Sequence, residues 1–143
     1  MKMKLVFVLV LGLGVFSCKE SEDPITQSSL QYFLVGIQPS WAPNMDFIPV
    51  SDSLYYYQFN DDGTFLKRVG DQIAKGTFKD PEIDDFEGIV LTFEDQDNDL
   101  IHSCFRGEEY LNNLGNNELS GTWQACDGPT HYFKAITNSS RPS

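Results

Sequence analysis

The residues of this chain with most capacity for chemistry are two histidines and two cysteines. His102-x-Cys104 puts two ligand-type side chains on one face of an extended segment, and Cys126-x4-His131 spans a turn. Together they form a two-Cys, two-His set of the type that suits zinc. The same cysteines, 22 residues apart, read alternatively as a disulfide. In an exported chain an even pair of cysteines oxidises, so the expectation is Cys104–Cys126 bonding, with no metal and no cofactor. Such a bridge stabilises a fold by about 3 kcal/mol in the loop-entropy account.

Carboxylates are the other abundant reactive groups. Asp95-x-Asp97-x-Asp99 has the opening spacing of a calcium loop, but Leu100 stands where the turn needs Gly and Arg106 where it needs Glu. Residues 80–99 carry nine carboxylates and no Lys or Arg, which reads first as a solvated, edge-protecting face. Glu108-Glu109 is a further acidic pair in a turn-rich segment. There is no Gly-x-Ser-x-Gly, no His-Glu-x-x-His and no phosphate loop, so no catalytic residues are expected and the chain does not read as an enzyme. Its formal net charge of -11 sets it against nucleic acid phosphate.

The first residues read as an address. Met1 to Lys4 is basic, and Leu5 to Phe16 is a 12-residue apolar run, shorter than the ~20 residues a membrane-spanning helix requires. Val15-Phe16-Ser17-Cys18 follows, and it resembles the lipobox of bacterial lipoprotein signal peptides. The resemblance implies cleavage of residues 1–17 and lipidation of Cys18, whose acyl chains would anchor the protein in a membrane. Losing Lys2 and Lys4 would leave 8 basic against 21 acidic side chains, a charge of -13. Residues 18–28, with Lys19-Glu20-Ser21-Glu22-Asp23-Pro24, read as a flexible acidic tether.

These groups must be positioned by strands. Tyr55, Tyr57 and Phe59 alternate with Tyr56 and Gln58, which is strand period. Asn60-Asp61-Asp62-Gly63 and Gly70-Asp71 are turn sequences, so Tyr55 to Phe78 reads as a three-stranded meander. Further strands are expected over residues 28–38, 88–94, 100–106, 118–126 and 131–136, with Tyr110-Leu111 a short strand or turn. Pro39, Pro43 and Pro49 exclude helix and central strand from residues 39–52, yet that loop carries Trp41 and Phe47. About eight short strands favour a sandwich or an up-and-down barrel over residues 29–137, followed by a polar tail, 138–143.

The succession Tyr57-Gln58-Phe59-Asn60-Asp61-Asp62-Gly63-Thr64-Phe65, Gly76-Thr77-Phe78, Leu119-Ser120-Gly121-Thr122-Trp123 and Cys126-Asp127-Gly128 resembles the lipocalin-like lipoproteins of Gram-negative bacteria. That resemblance implies an all-β, antiparallel up-and-down barrel hanging from the outer membrane by Cys18, on its periplasmic face or at the cell surface. Two functions then compete. One is a non-enzymatic binding module for a small apolar ligand near the barrel rim, under the 39–52 loop, with Trp41, Phe47, Tyr57, Phe59, Phe65 and Trp123 as candidate contacts. The other is a cavity-free interaction lipoprotein that docks an envelope protein partner. Tyr57, Phe59, Phe65, Phe78, Phe93 and Trp123 are the expected inward-facing rings, and rings this large predict a mostly filled interior.

Overall fold

The structure, a computed structural model, describes residues 29–40, 46–81 and 86–136. Cys18, Trp41 and the terminal tail lie outside the described residues. Among the described residues nine strands form one antiparallel sheet: β1 (Ser29–Gln38), β2 (Ile48–Pro49), β3 (Tyr55–Asn60), β4 (Thr64–Val69), β5 (Gln72–Lys79), β6 (Gly88–Phe93), β7 (Glu108–Gly115), β8 (Glu118–Gly121) and β9 (Thr130–Ala135). Each strand from β3 onward pairs with the next, β3 pairs with β1, and β1 pairs with β9. This is a closed eight-stranded up-and-down barrel, with β2 as an extra strand laid on the end of β1. Every barrel strand finds both neighbours within residues 29–135, so the barrel is self-contained.

The meander forms as its turns dictate. Gly63 and Gly70 both sit at positive φ, 79° and 61°. Asp62 holds the first turn by accepting bonds from the Thr64 amide at 2.9 Å and the Thr64 hydroxyl at 2.6 Å. Alternation then sends Tyr55, Tyr57, Phe59, Phe65, Ala74, Leu91, Phe93, Leu111, Leu119 and Phe133 into one core.

Strand β1 changes face halfway. Leu34 pairs with Phe133 while Gly36 pairs with Tyr132, so a bulge between them flips the alternation. Tyr32 and Leu34 point inward, and after the bulge it is Ile37, opposite His131, that packs against the core. Gly36 is thereby turned outward, and Phe47 covers it. A Cβ there would lie 1.9 Å from the ring. Phe47 also meets Tyr132 edge-on, with centroids 5.6 Å apart, and is 48% exposed. It therefore packs on the outer wall, beside a small cleft shared with Val35 and Tyr132, and not at the barrel mouth.

Two strand expectations also need correction. Residues 94–107 form no strand beyond one isolated bridge, Phe105 to Glu108. The pairing with β6 is made instead by β7, which starts at Glu108, takes in Tyr110 and Leu111 and runs on to Gly115. Strand β8 ends at Gly121, and Trp123–Cys126 is one 3₁₀ turn closed by Asp127 in the left-handed region.

Two of the glycines that face close neighbours set a test. Gly36→Ala meets only the movable Phe47 ring and should cost little, whereas Gly76→Ala would place its methyl 2.0 Å from the Thr92 backbone oxygen. Urea unfolding should show Gly76→Ala destabilised by at least about 2 kcal/mol more than Gly36→Ala. Equal losses would contradict the close approach of β5 and β6.

Candidate functional site

The two barrel ends differ in kind. At the far end, where β1 finishes and β3 starts, inward alternation delivers Lys67 from β4 and Glu109 from β7 into the core. Both are buried, at 0% and 2% exposure. Lys67 Nζ lies 2.5 Å from Glu109 Oε1. Each partner also binds the 94–107 connection: Nζ donates to the Leu100 carbonyl, and the His102 backbone amide donates to Oε1 at 2.5 Å. The Tyr57 hydroxyl donates to Oε2 at 2.7 Å. Nζ lies over the rings of Tyr57 and Tyr55, 5.2 and 5.3 Å from their centroids. Desolvation lowers the Lys67 pKa, against the pull of Glu109.

Around this pair stand further rings. The Tyr55 hydroxyl and His102 Nδ1 are hydrogen-bonded at 2.9 Å. His102 stacks on Trp123, with centroids 4.5 Å apart and planes at 6°. His131 sits 5.3 Å from His102 and 5.3 Å from Tyr55, centroid to centroid. Burial first, and then the Lys67 charge, hold both imidazoles neutral. The pKa of His102 falls to about 3 and that of His131 to about 4. Burial, reinforced by Glu109, drives Tyr55 and Tyr57 well above the ordinary tyrosine range.

Cys104 and Cys126 are joined as a disulfide, with Cα atoms 5.7 Å apart. It ties the 94–107 connection to the 3₁₀ turn, and the thiolates of a zinc set are consumed by it. Among the described residues no group of three or more His, Cys, Asp or Glu side chains converges to hold a metal ion. Asp97 is taken by Arg106 in a two-bond pair at 2.7 and 2.6 Å, so the Asp95–Asp99 turn is fastened by a cation of its own chain.

The entry end, where the chain enters β1 at Ser29, carries no such cap among the described residues. A cleft of about 680 Å³ lies there, lined by Ser29, Leu30, Tyr32, Phe59, Asn60, Asp61, Gly63, Phe78 and Ile89. Leu30, Tyr32, Phe59 and Phe78 belong to the inward-facing rows, so this is the mouth of the barrel and not a groove on its wall. Tyr32 meets Phe59 edge-on at 5.8 Å, and Phe59 meets Phe78 at 4.9 Å. This cleft lies at the end opposite to where the 39–52 loop leaves β1, whereas the cleft beside Phe47 of that loop is smaller, about 150 Å³.

The candidate contacts are therefore split. Phe59 lines the mouth, Phe65 lies beside Phe93 in the core, Tyr57 serves Glu109, Trp123 caps His102 and Phe47 is outside. Sequence reading missed Lys67 and Glu109, although their parity with Phe65 and Leu111 marked both as inward. No protein-family model matches the chain, and no match to it is found among curated proteins or solved structures.

The neutral histidines give the far end an acid sensitivity. An unfolded chain takes up protons near pH 6.5, while the folded imidazoles resist until about pH 3 to 4. More protons are bound by the unfolded state in that window, so stability should fall as pH drops from 6.5 toward 4. Above pH 6.5 these groups contribute no slope. Denaturant midpoints measured across this range should decline, and His131→Leu should flatten the decline. An unchanged slope in the variant would refute the assignment.

Proposed function

We propose that the protein is a lipid-anchored outer-membrane lipoprotein whose barrel is a non-enzymatic binding module for a small apolar ligand. The observation that carries this reading is the entry-end mouth: an apolar cleft of about 680 Å³, within the usual range of small-molecule sites, floored by Tyr32, Phe59 and Phe78. The middle of the barrel is packed, with Tyr57, Phe65, Leu91 and Phe133 at 2% exposure or less, so a ligand sits in the mouth rather than threading the barrel. Anchoring rests on Val15-Phe16-Ser17-Cys18. Eleven positions separate Cys18 from Ser29, a reach of at most about 40 Å. A lipid anchor on Cys18 would keep the mouth close to the membrane from which apolar molecules are supplied.

A second reading, docking of an envelope protein partner, is favoured by the outer wall of β6 and β7. There Tyr110 meets both Phe86 and Phe105, and Phe105 is 57% exposed.

Two measurements test the first reading. In the native envelope the protein should partition into detergent phase and Cys18→Ala should not. Aqueous partitioning of both would end the anchoring claim. Residues 19–143, titrated calorimetrically with octyl glucoside below its micelle concentration, should bind saturably. Leu30→Trp, which fills the mouth from a half-exposed position, should weaken binding at least about tenfold, the equivalent of about 1.4 kcal/mol. Undiminished binding by that variant would place the ligand elsewhere.

A further inference from the structure

The mouth has a chemical bias beyond its apolar floor. Among the described residues no Lys or Arg lines it, and its one charged residue is Asp61, in the β3–β4 turn. Asp61 is exposed, and among the described residues its carboxylate has no hydrogen-bond or ion-pair partner. Its neighbours on the rim, Ser29 and Asn60, are neutral. Among the described residues the other charges of this end do not offset it. Asp80 and Glu87 flank the β5–β6 connection, and Lys134 is held by Glu118 at 2.8 Å. Lys79 closes β5 on its outward face, in register with Val90. Lys67, the one cation inside the barrel among the described residues, is spent on Glu109 at the far end. The whole chain carries -11, which draws cations toward it from solution.

The floor adds to this bias. Tyr32, Phe59 and Phe78 bring three rings to the lining, and an aromatic ring attracts a cation that is partly stripped of water. An anionic head group would meet Asp61 with no donor cation to receive it. A cationic head group has a free carboxylate at the rim and rings beneath, while its tail replaces water on Leu30 and Ile89.

We propose that the entry-end mouth selects amphiphiles that carry a single cationic head group, with Asp61 as the group that reads the charge. The inference rests on the ligand reading of the same mouth given above, and its test separates the two. Residues 19–143 are titrated with three probes of equal tail length: octyltrimethylammonium, octyl glucoside and octyl sulfate. The cation should bind roughly three- to fivefold more tightly than the neutral probe at low salt, and the sulfate most weakly. High salt should shrink the difference. Asp61→Asn keeps a turn-forming side chain of the same shape, so it should erase the cation's advantage over octyl glucoside. Equal binding of all three probes, or preference for the sulfate, would overturn charge selection while the apolar site stands. An Asp61→Asn variant that keeps the full preference would overturn the role of Asp61. No saturable binding of any probe would remove both readings.

Discussion

The architecture depends on one buried ion pair. Lys67 and Glu109 come from strands on different sides of the barrel and meet where water is excluded. A pair so placed is a poor source of net stability, because desolvating two charges consumes most of what their attraction returns. Its value lies in what else the two groups hold. Nζ takes the Leu100 carbonyl and Oε1 takes the His102 amide, so the irregular 94–107 connection is drawn down onto the barrel end. Removing one partner would leave a buried charge alone, a loss of roughly 3–5 kcal/mol, and would also free that connection.

From this follows the difference between the ends. With the 94–107 connection in place, His102 can stack on Trp123, and Cys104 can meet Cys126. The far end is thus closed by bonds of three kinds: an ion pair, a ring stack and a disulfide. The entry end has turns and strand starts but no comparable cap among the described residues, and its inward rings, Phe59 and Phe78, stand at an opening. Among the described residues, polar chemistry thus closes one end of the barrel and leaves apolar side chains at the other.

Much of the fold was legible because strand period and turn chemistry agree. Tyr55 to Phe78 states both alternation and turns, and β3, β4 and β5 lie where those signals put them. The bulge in β1 was hidden, since residues 32–37 are apolar on both faces and a change of face leaves no mark. Residues 100–106 alternate well enough to read as a strand, but the backbone there bends to serve Lys67 and Glu109, and Gly107 at φ 76° turns the chain before β7 begins. Trp123 continued the pattern of Leu119 and Gly121, yet β8 stops at Gly121 and the indole instead covers Gly128 and His102. Lys67 was passed over and Glu109 was placed in a turn-rich acidic pair because charge was read as solvation, when parity with their neighbours pointed inward. The open mouth was not legible at all. Which end of a barrel is capped depends on long-range bonds that no local pattern records.

The most direct test of a one-ended barrel is an amide NMR titration of residues 19–143 with a neutral octyl probe. The account predicts saturable shifts confined to the entry end, at Leu30, Asn60, Gly63 and Ile89, while His102, Glu109 and Trp123 stay fixed. Saturable shifts centred on His102, Glu109 and Trp123, with the entry end unmoved, would contradict it.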